Sequence, residues 1–208
     1  MEPMKDYIIT IARGYGSGGK QIAIRLAKAL GIKYYDRDLI RKASEETGIN
    51  EALFNLADET YKKKFFRRYT TQKTVSPESS DYLSQENLFN LQAQIIKKIA
   101  DSGEPAIIVG RCAHHILKDR PNVIKVYIHA DHERCMENVK ALNGVTDAEA
   151  EALISKFDTE RAQYHKYFTN TDWSDVRNYD ICLNTSQIDF DKCVQIIISY
   201  LKIMDELE

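Results

Sequence analysis

Gly14-Tyr-Gly-Ser-Gly-Gly-Lys20 brings together the residue types that hold a phosphate, at the spacing G-x-x-x-x-G-K. Glycines in such a loop let successive backbone amides turn inward around an anion. The helix that follows points its positive end at the same place, and the lysine bridges terminal phosphates as charge moves between them. Gly14, Gly16, Ser17, Gly18, Gly19 and Lys20 are therefore the candidate nucleotide-binding residues. The next position calls for Ser or Thr, whose hydroxyl ligates the Mg²⁺ carried by the phosphates. Gln21 stands there instead and is the candidate metal ligand, its carboxamide oxygen reaching a hard cation on a longer stem. Ser17, inside the loop, is the alternative hydroxyl.

The loop needs a strand before it and a helix after it. Tyr7-Ile-Ile-Thr-Ile-Ala12 is a short β-branched run that ends at glycines, as a buried parallel strand does. Beyond the glycines, Ile22, Leu26 and Leu30 recur every four residues, with Ala23 and Ala27 beside them, and Gly31 is a C-cap. Lys33–Asp36 reads as a second strand, and Asp38–Glu46 as a helix ended by Gly48. Ser84–Asp101 is a strong helix whose first amides Ser84 and Asn87 help to satisfy. Strands at Ala106–Gly110, Val123–Ile128 and Asp180–Asn184 follow. Helices run from Asp131 to about Lys140, from Asp147 to about Tyr167 (one helix or a pair) and from Phe190 to Met204. Strands alternating with helices imply one parallel sheet covered on both faces, an α/β fold of three layers.

Composition narrows the class. With 208 residues, 43% hydrophobic and 29% charged, the chain reads as one domain with a substantial core. A net charge of −2 provides no global basic field for nucleic acid, so an anionic ligand must be held by local groups. Cys112, Cys135, Cys182 and Cys193 form no C-x-x-C pair, which argues against zinc or redox motifs and for reduced thiols in a cytoplasmic protein. No signal-like stretch opens the chain, and no run approaches a membrane span.

Several segments together resemble the bacterial cytidylate kinase-like family and, more distantly, cytidylate kinases. They are Ile9–Lys20, Leu30-Gly-Ile-Lys-Tyr-Tyr-Asp-Arg-Asp-Leu-Ile40, Ile107-Ile-Val-Gly-Arg-Cys-Ala113 and Asn178-Tyr-Asp-Ile-Cys-Leu-Asn-Thr185. Their order is kept across nearly the whole chain. The resemblance implies a P-loop nucleoside-monophosphate-kinase fold over residues 1–208, with about five parallel strands. It adds an acceptor-binding insertion at about 45–100 and a lid-like helical region at about 141–172. It implies ATP and Mg²⁺ as cofactors and a small anionic acceptor such as CMP.

Residue by residue, Lys20 matches the loop lysine and Asp36 the aspartate near the acceptor. Arg41, or else Arg37, falls about where an acceptor-phosphate arginine would. Arg111 matches the arginine of a Gly-Arg pair that reaches the acceptor phosphate. Cys112 stands where cytidylate kinases carry Asp. His132-Glu-Arg134 resembles the approach to the lid, whose arginine would be Arg161, with Lys156 or Lys166 nearby. Lys20, Arg111 and Arg161 are thus the catalytic candidates.

Each residue also has a plainer role. Asp36 could cap the next helix. Arg37 and Arg41 could pair with Glu45 on a solvated face, and Arg161 could form a surface ion pair. His114 and His115 suggest a metal, but adjacent residues point to different faces and no third ligand is in view. Tyr164, Tyr167, Phe168 and Trp173 read better as packing than as base-stacking groups. The run Lys62–Arg68, interleaved with Phe65, Phe66 and Tyr69, fits a mobile acceptor-binding segment or a charged loop as well as nucleic acid. Two functions compete: phosphoryl transfer from ATP, and nucleotide binding by a regulatory protein with little catalysis.

Overall fold

A computed structural model describes residues 6–54 and 74–206, together with the backbone but not the side chain of Arg37. The basic run Lys62–Arg68 lies outside the described residues. Five parallel strands, β1 (Ile8–Arg13), β2 (Lys33–Tyr35), β3 (Ala106–Val109), β4 (Val123–His129) and β5 (Ile181–Asn184), pair in the order β2-β3-β1-β4-β5. β1 is central, with Ile8 opposite both Ala106 and Val123. Every loop that leaves the carboxyl end of β1 therefore opens between β3 and β4, at the switch point where open parallel sheets bind ligands.

The strands are apolar on both faces because helices cover both, and the period of two assigns alternate side chains to separate cores. Ile9, Ile11, Ile107, Val109, Ile124, Val126 and Ile128 face α1 (Gly19–Leu30) and α7 (Phe190–Glu206), meeting Ile22, Leu26, Val194 and Ile197. Ile8, Ala106, Ile108 and Val123 face the other way, toward α2 (Arg37–Thr47), α3 (Gln85–Asp101) and α4 (Ala113–Ile116), where Leu39, Ile40, Leu88, Ile95, Ile96 and Leu117 complete the core.

The helix ends follow local chemistry. Gly31 and Gly48 cap α1 and α2 in the left-handed region, and the Ser84 hydroxyl accepts from the Asn87 amide at the start of α3. α5 (His132–Asn143) leads to α6 (Asp147–Thr169), one continuous helix of 23 residues rather than a pair. It opens with a reciprocal capping box between Thr146 and Glu149. α6 spans two regions of the molecule. Ala150 and Ile154 pack on Cys135 and Val139 of α5, whereas Tyr164 and Phe168 pack on Phe89 of α3 and on Cys112. Among the described residues, no helix is long and apolar enough to cross a membrane.

Candidate functional site

The glycine loop runs from the end of β1 to the start of α1, and its backbone is held from behind. The carbonyl of Gly14 accepts from the Ser17 hydroxyl (2.8 Å), that of Gly16 from Asn138 Nδ2 (2.7 Å) and that of Ser17 from the Thr185 hydroxyl (2.8 Å). Within one planar peptide unit C=O and N–H point opposite ways, so the amides of Tyr15 and Gly18 face outward from these anchors. Gly16 and Gly18 have φ of +81° and +80°. A Cβ at Gly16 would lie 2.7 Å from the Cys135 carbonyl oxygen, and one at Gly18 would overlap the Phe190 ring. The glycines are thus required by close packing behind the loop as well as by its dihedrals. α1 begins at Gly19 with no acidic residue in its first turn, which leaves its positive end clear for an anion.

Lys20 is half-exposed at this helix start, and its Nζ is 3.3 Å from Asp36 Oδ2. Asp36 occupies the N-cap position of α2, but its carboxylate makes no capping bond. It accepts from the Tyr34 hydroxyl (3.2 Å) and lies 3.8 Å from Arg13 Nη2. The aspartate is therefore turned from its own helix toward the phosphate loop.

Arg13 is the residue that ties the two sides together. It is the last residue of β1, and its side chain passes between two glycines. A Cβ at Gly19 would lie 2.5 Å from Arg13 Cβ, and one at Gly110 would overlap Arg13 Nη1. The turn after β3 is itself strained: Gly110, Arg111 and Cys112 have φ of +77°, +55° and +54° in succession. Left-handed backbone at two consecutive non-glycine residues costs energy and is characteristic of functional turns. This turn sets Arg111 beside Arg13 and Arg161 around a cavity of ≈ 50 Å³ that Tyr164, His165 and Trp173 also line.

Burial lowers the pKa of Arg13 and Arg111, and it pulls that of Arg161 down to about 10, where the guanidinium still carries its charge near neutrality. Three guanidinium groups gathered in a partly desolvated cleft favour an anion strongly. A larger hollow of ≈ 450 Å³ lies on the flank between α3 and α4, but no phosphate-loop residue lines it.

α6 meets the loop directly. Phe157 stacks on Tyr15 (4.5 Å between ring centroids), and Asp158 Oδ1 accepts from the Tyr15 amide at 2.8 Å. Arg161 Nη1 donates to Asp158 Oδ1 (3.1 Å) and to the Arg13 carbonyl (3.2 Å), with its guanidinium over the Tyr15 ring. Burial is the main influence on Asp158 and raises its pKa despite the Tyr15 amide and Arg161.

Beneath the cleft, His114 Nε2 is 3.0 Å from His165 Nε2, while His165 Nδ1 faces the Thr171 carbonyl (3.2 Å). That carbonyl fixes the proton on His165 Nδ1, so His114 donates to His165 Nε2. Burial lowers the two histidines to about 3 and about 4, so both are neutral. Their partners are thus each other, the Thr169 hydroxyl and backbone. Among the described residues, no group of three or more His, Cys, Asp or Glu could hold a metal ion.

The structure brings together Gly14–Lys20, Asp36, Arg111 and Arg161. Arg41 stands apart, exposed on α2, with Asp38 at 3.5 Å and Glu45 at 2.7 Å. Arg134 pairs with Glu137 on the surface. Ser17 is fully buried and its hydroxyl is engaged by Gly14. Gln21 is partly exposed in the first turn of α1. Arg13, Asp158 and His165 enter the site without having been singled out from sequence. Only the glycine at position 110, beside an invitingly placed Arg111, hinted that another side chain needed its space.

A phosphate loop between β1 and α1, under a sheet ordered β2-β3-β1-β4-β5, defines the P-loop kinase fold. Within that class, the chain belongs to the cytidylate kinase-like family, whose model matches residues 8–187. The chain is 26% identical over 199 residues to the cytidylate kinase of Sulfurisphaera tokodaii, covering 95% of this chain and 96% of that one. An uncharacterized protein from Eubacterium ventriosum superposes with a TM-score of 0.69 at 28% identity, over 94% of this chain and 98% of the other. Shikimate kinase from Bacteroides thetaiotaomicron shares the fold at 12% identity, with a TM-score of 0.54 over 94% and 98% of the two chains.

Proposed function

We propose that this protein is an ATP-dependent phosphotransferase acting on a small anionic acceptor, with a nucleoside monophosphate such as CMP favoured by the family relationship. The observation that carries this reading is the grouping of Asp36 with Lys20 of the phosphate loop and with Arg13, beside Arg111. Lys20 would serve the donor and Asp36 with the arginines the acceptor, within one cleft, as in-line transfer requires. The loop amides and Lys20 would hold the ATP phosphates, and Arg111 with Arg13 would orient the acceptor's anionic group. Arg161 would offset charge on the transferring phosphoryl group, a role worth roughly 10³–10⁵ in rate where it is well placed.

The loop suits ATP phosphates, since the Gly18 amide faces away from the Thr185 anchor and the positive end of α1 is free of acidic residues in its first turn. Mg²⁺ bound with ATP would bridge and neutralise the donor phosphates. On the protein side, Gln21, in the first turn of α1, would be the residue to meet it. Residues 45–100 would act as the acceptor-binding insertion and residues 141–172 as the lid.

Base recognition would differ from that of cytidylate kinases. Cys112 is buried against Phe89, Tyr164 and Phe168, and burial pushes its thiol pKa well up, so an ionised group is missing where those enzymes carry Asp. A second reading, a nucleotide-binding regulator with little turnover, is favoured by Gln21 and by the Asp158 carboxylate on a loop amide. Calorimetry with ATP separates the two: affinity that depends strongly on Mg²⁺ supports the enzyme, and affinity indifferent to it supports the regulator. Phosphorus NMR of ATP mixed with a panel of nucleoside monophosphates should show a new diphosphate; its absence for every acceptor would count against phosphoryl transfer.

A further inference from the structure

The Tyr15 amide belongs to the loop that would cradle the donor phosphates, yet its hydrogen goes to a side chain of this chain. Asp158 Oδ1 takes it at 2.8 Å, and Asp158 Oδ2 would stand 3.8 Å from a Cβ at Gly14. The carboxylate is thus an anion seated at the rim of an anion-binding loop. Its position is fixed by neighbours on both sides: Phe157 stacks on Tyr15, and Arg161 bonds both Asp158 and the Arg13 carbonyl. Burial disfavours the charge there, so the carboxylate gives up hydration to make this contact.

We propose that Asp158 is an internal competitor for the donor phosphates, latching helix α6 to the phosphate loop until a nucleotide displaces it. The inference rests on the reading that Gly14–Lys20 binds ATP phosphates. One N–H serves one strong acceptor, and a phosphate oxygen next to the carboxylate would meet a like charge. ATP binding therefore turns the Asp158 carboxylate off the loop and loosens the turn of α6 that carries it. Release also frees the Arg161 guanidinium from its carboxylate, which makes the lid arginine available as the phosphates arrive. Because the other half of α6 packs on α3 and the Cys112 turn, the latch couples donor occupancy to the acceptor side.

The test uses the full chain and two phosphate probes, ATP and inorganic tripolyphosphate, each with Mg²⁺. In Asp158→Ala, both should bind roughly 5–20-fold tighter than in the wild type, the scale of a modest coupling between two states. Phe157→Ala, which removes the stack and keeps the charge, should shift affinity in the same direction. In the native chain, adding tripolyphosphate should speed amide hydrogen exchange in the α6 segment around residue 158. Unchanged or weaker binding in a folded Asp158→Ala protein, or slower exchange in that segment, would overturn the latch. Lys20→Ala separates this from failure of the underlying reading. If it binds tripolyphosphate as well as the wild type, the phosphate loop itself is misread. If it loses binding while Asp158→Ala gains none, only the latch is wrong.

Discussion

Lys20 Nζ stands 3.3 Å from Asp36 Oδ2, a contact that joins the phosphate loop to the end of β2. The carboxylate neutralises the lysine while also facing Arg13. Removing that charge separates the two roles. Asp36→Asn should leave ATP affinity equal or up to a few-fold tighter, since Lys20 is then released toward the phosphates. It should lower kcat/KM for the acceptor by about tenfold or more. Steady-state kinetics with each substrate varied in turn checks the split; equal losses for both substrates would show that Asp36 only supports the fold.

Arg13 makes its contacts through a planar fork, so charge alone does not replace it. Arg13→Lys should lower kcat/KM for the acceptor by roughly 10–100-fold, the cost of losing one or two charge-assisted hydrogen bonds. Binding of ATP alone, measured by calorimetry, should stay within a few-fold of the wild type. An acceptor KM unaltered in Arg13→Lys would remove Arg13 from the site.

Gly110 tests the same arrangement from beneath. Its φ of +77° disfavours any side chain, and a Cβ there would overlap Arg13 Nη1. Gly110→Ala should destabilise the chain by about 1–3 kcal/mol, read as a lower denaturant midpoint. The folded remainder should also lose turnover, because the guanidinium must move. Gly144→Ala is the matched control. That glycine has φ +66° but nothing within 4 Å of a Cβ, so only the stability loss should appear.

The paired histidines predict an acid limit to stability. Folded pKa values of about 3 for His114 and about 4 for His165 lie below the ordinary 6.5, chiefly through burial. The unfolded chain therefore binds more protons below pH 6.5. The contribution is complete above that pH and is lost as pH falls toward 4. Denaturant unfolding at a series of pH values checks this. His165→Gln should flatten the slope between pH 6.5 and 4, and an undiminished slope would place its origin elsewhere.

Much of the fold was legible because local rules decide it. β-branched runs that end at glycine became β1 and β3, and the four-residue recurrence of Ile22, Leu26 and Leu30 became the buried face of α1, with Leu30 packed partly buried against it. The capped ends at Gly31, Gly48 and Ser84 follow from residue chemistry alone. The phosphate loop was legible from its own spacing, whereas Asp36 and Arg111 were singled out through the family resemblance. What was hidden depends on pairs distant in sequence. Arg13 reads as the end of a strand until Gly19 and Gly110 are seen on either side of it. Asp158 is one acidic residue among many on α6 until Tyr15 lies beneath it. His114 needs His165, 51 positions away, to explain its burial. Arg41 illustrates the opposite limit: one turn from Glu45, it makes the local pair on an exposed helix face that its spacing allowed.

Phosphoryl transfer by this cleft is tested most directly by ADP release in a coupled assay, with wild type and Lys20→Ala each offered ATP, Mg²⁺ and a panel of nucleoside monophosphates. The wild type should release ADP with at least one acceptor, and Lys20→Ala should be slower by about 100-fold or more. Turnover that Lys20→Ala retains in full, or the absence of ADP release by the wild type with any acceptor, would contradict it.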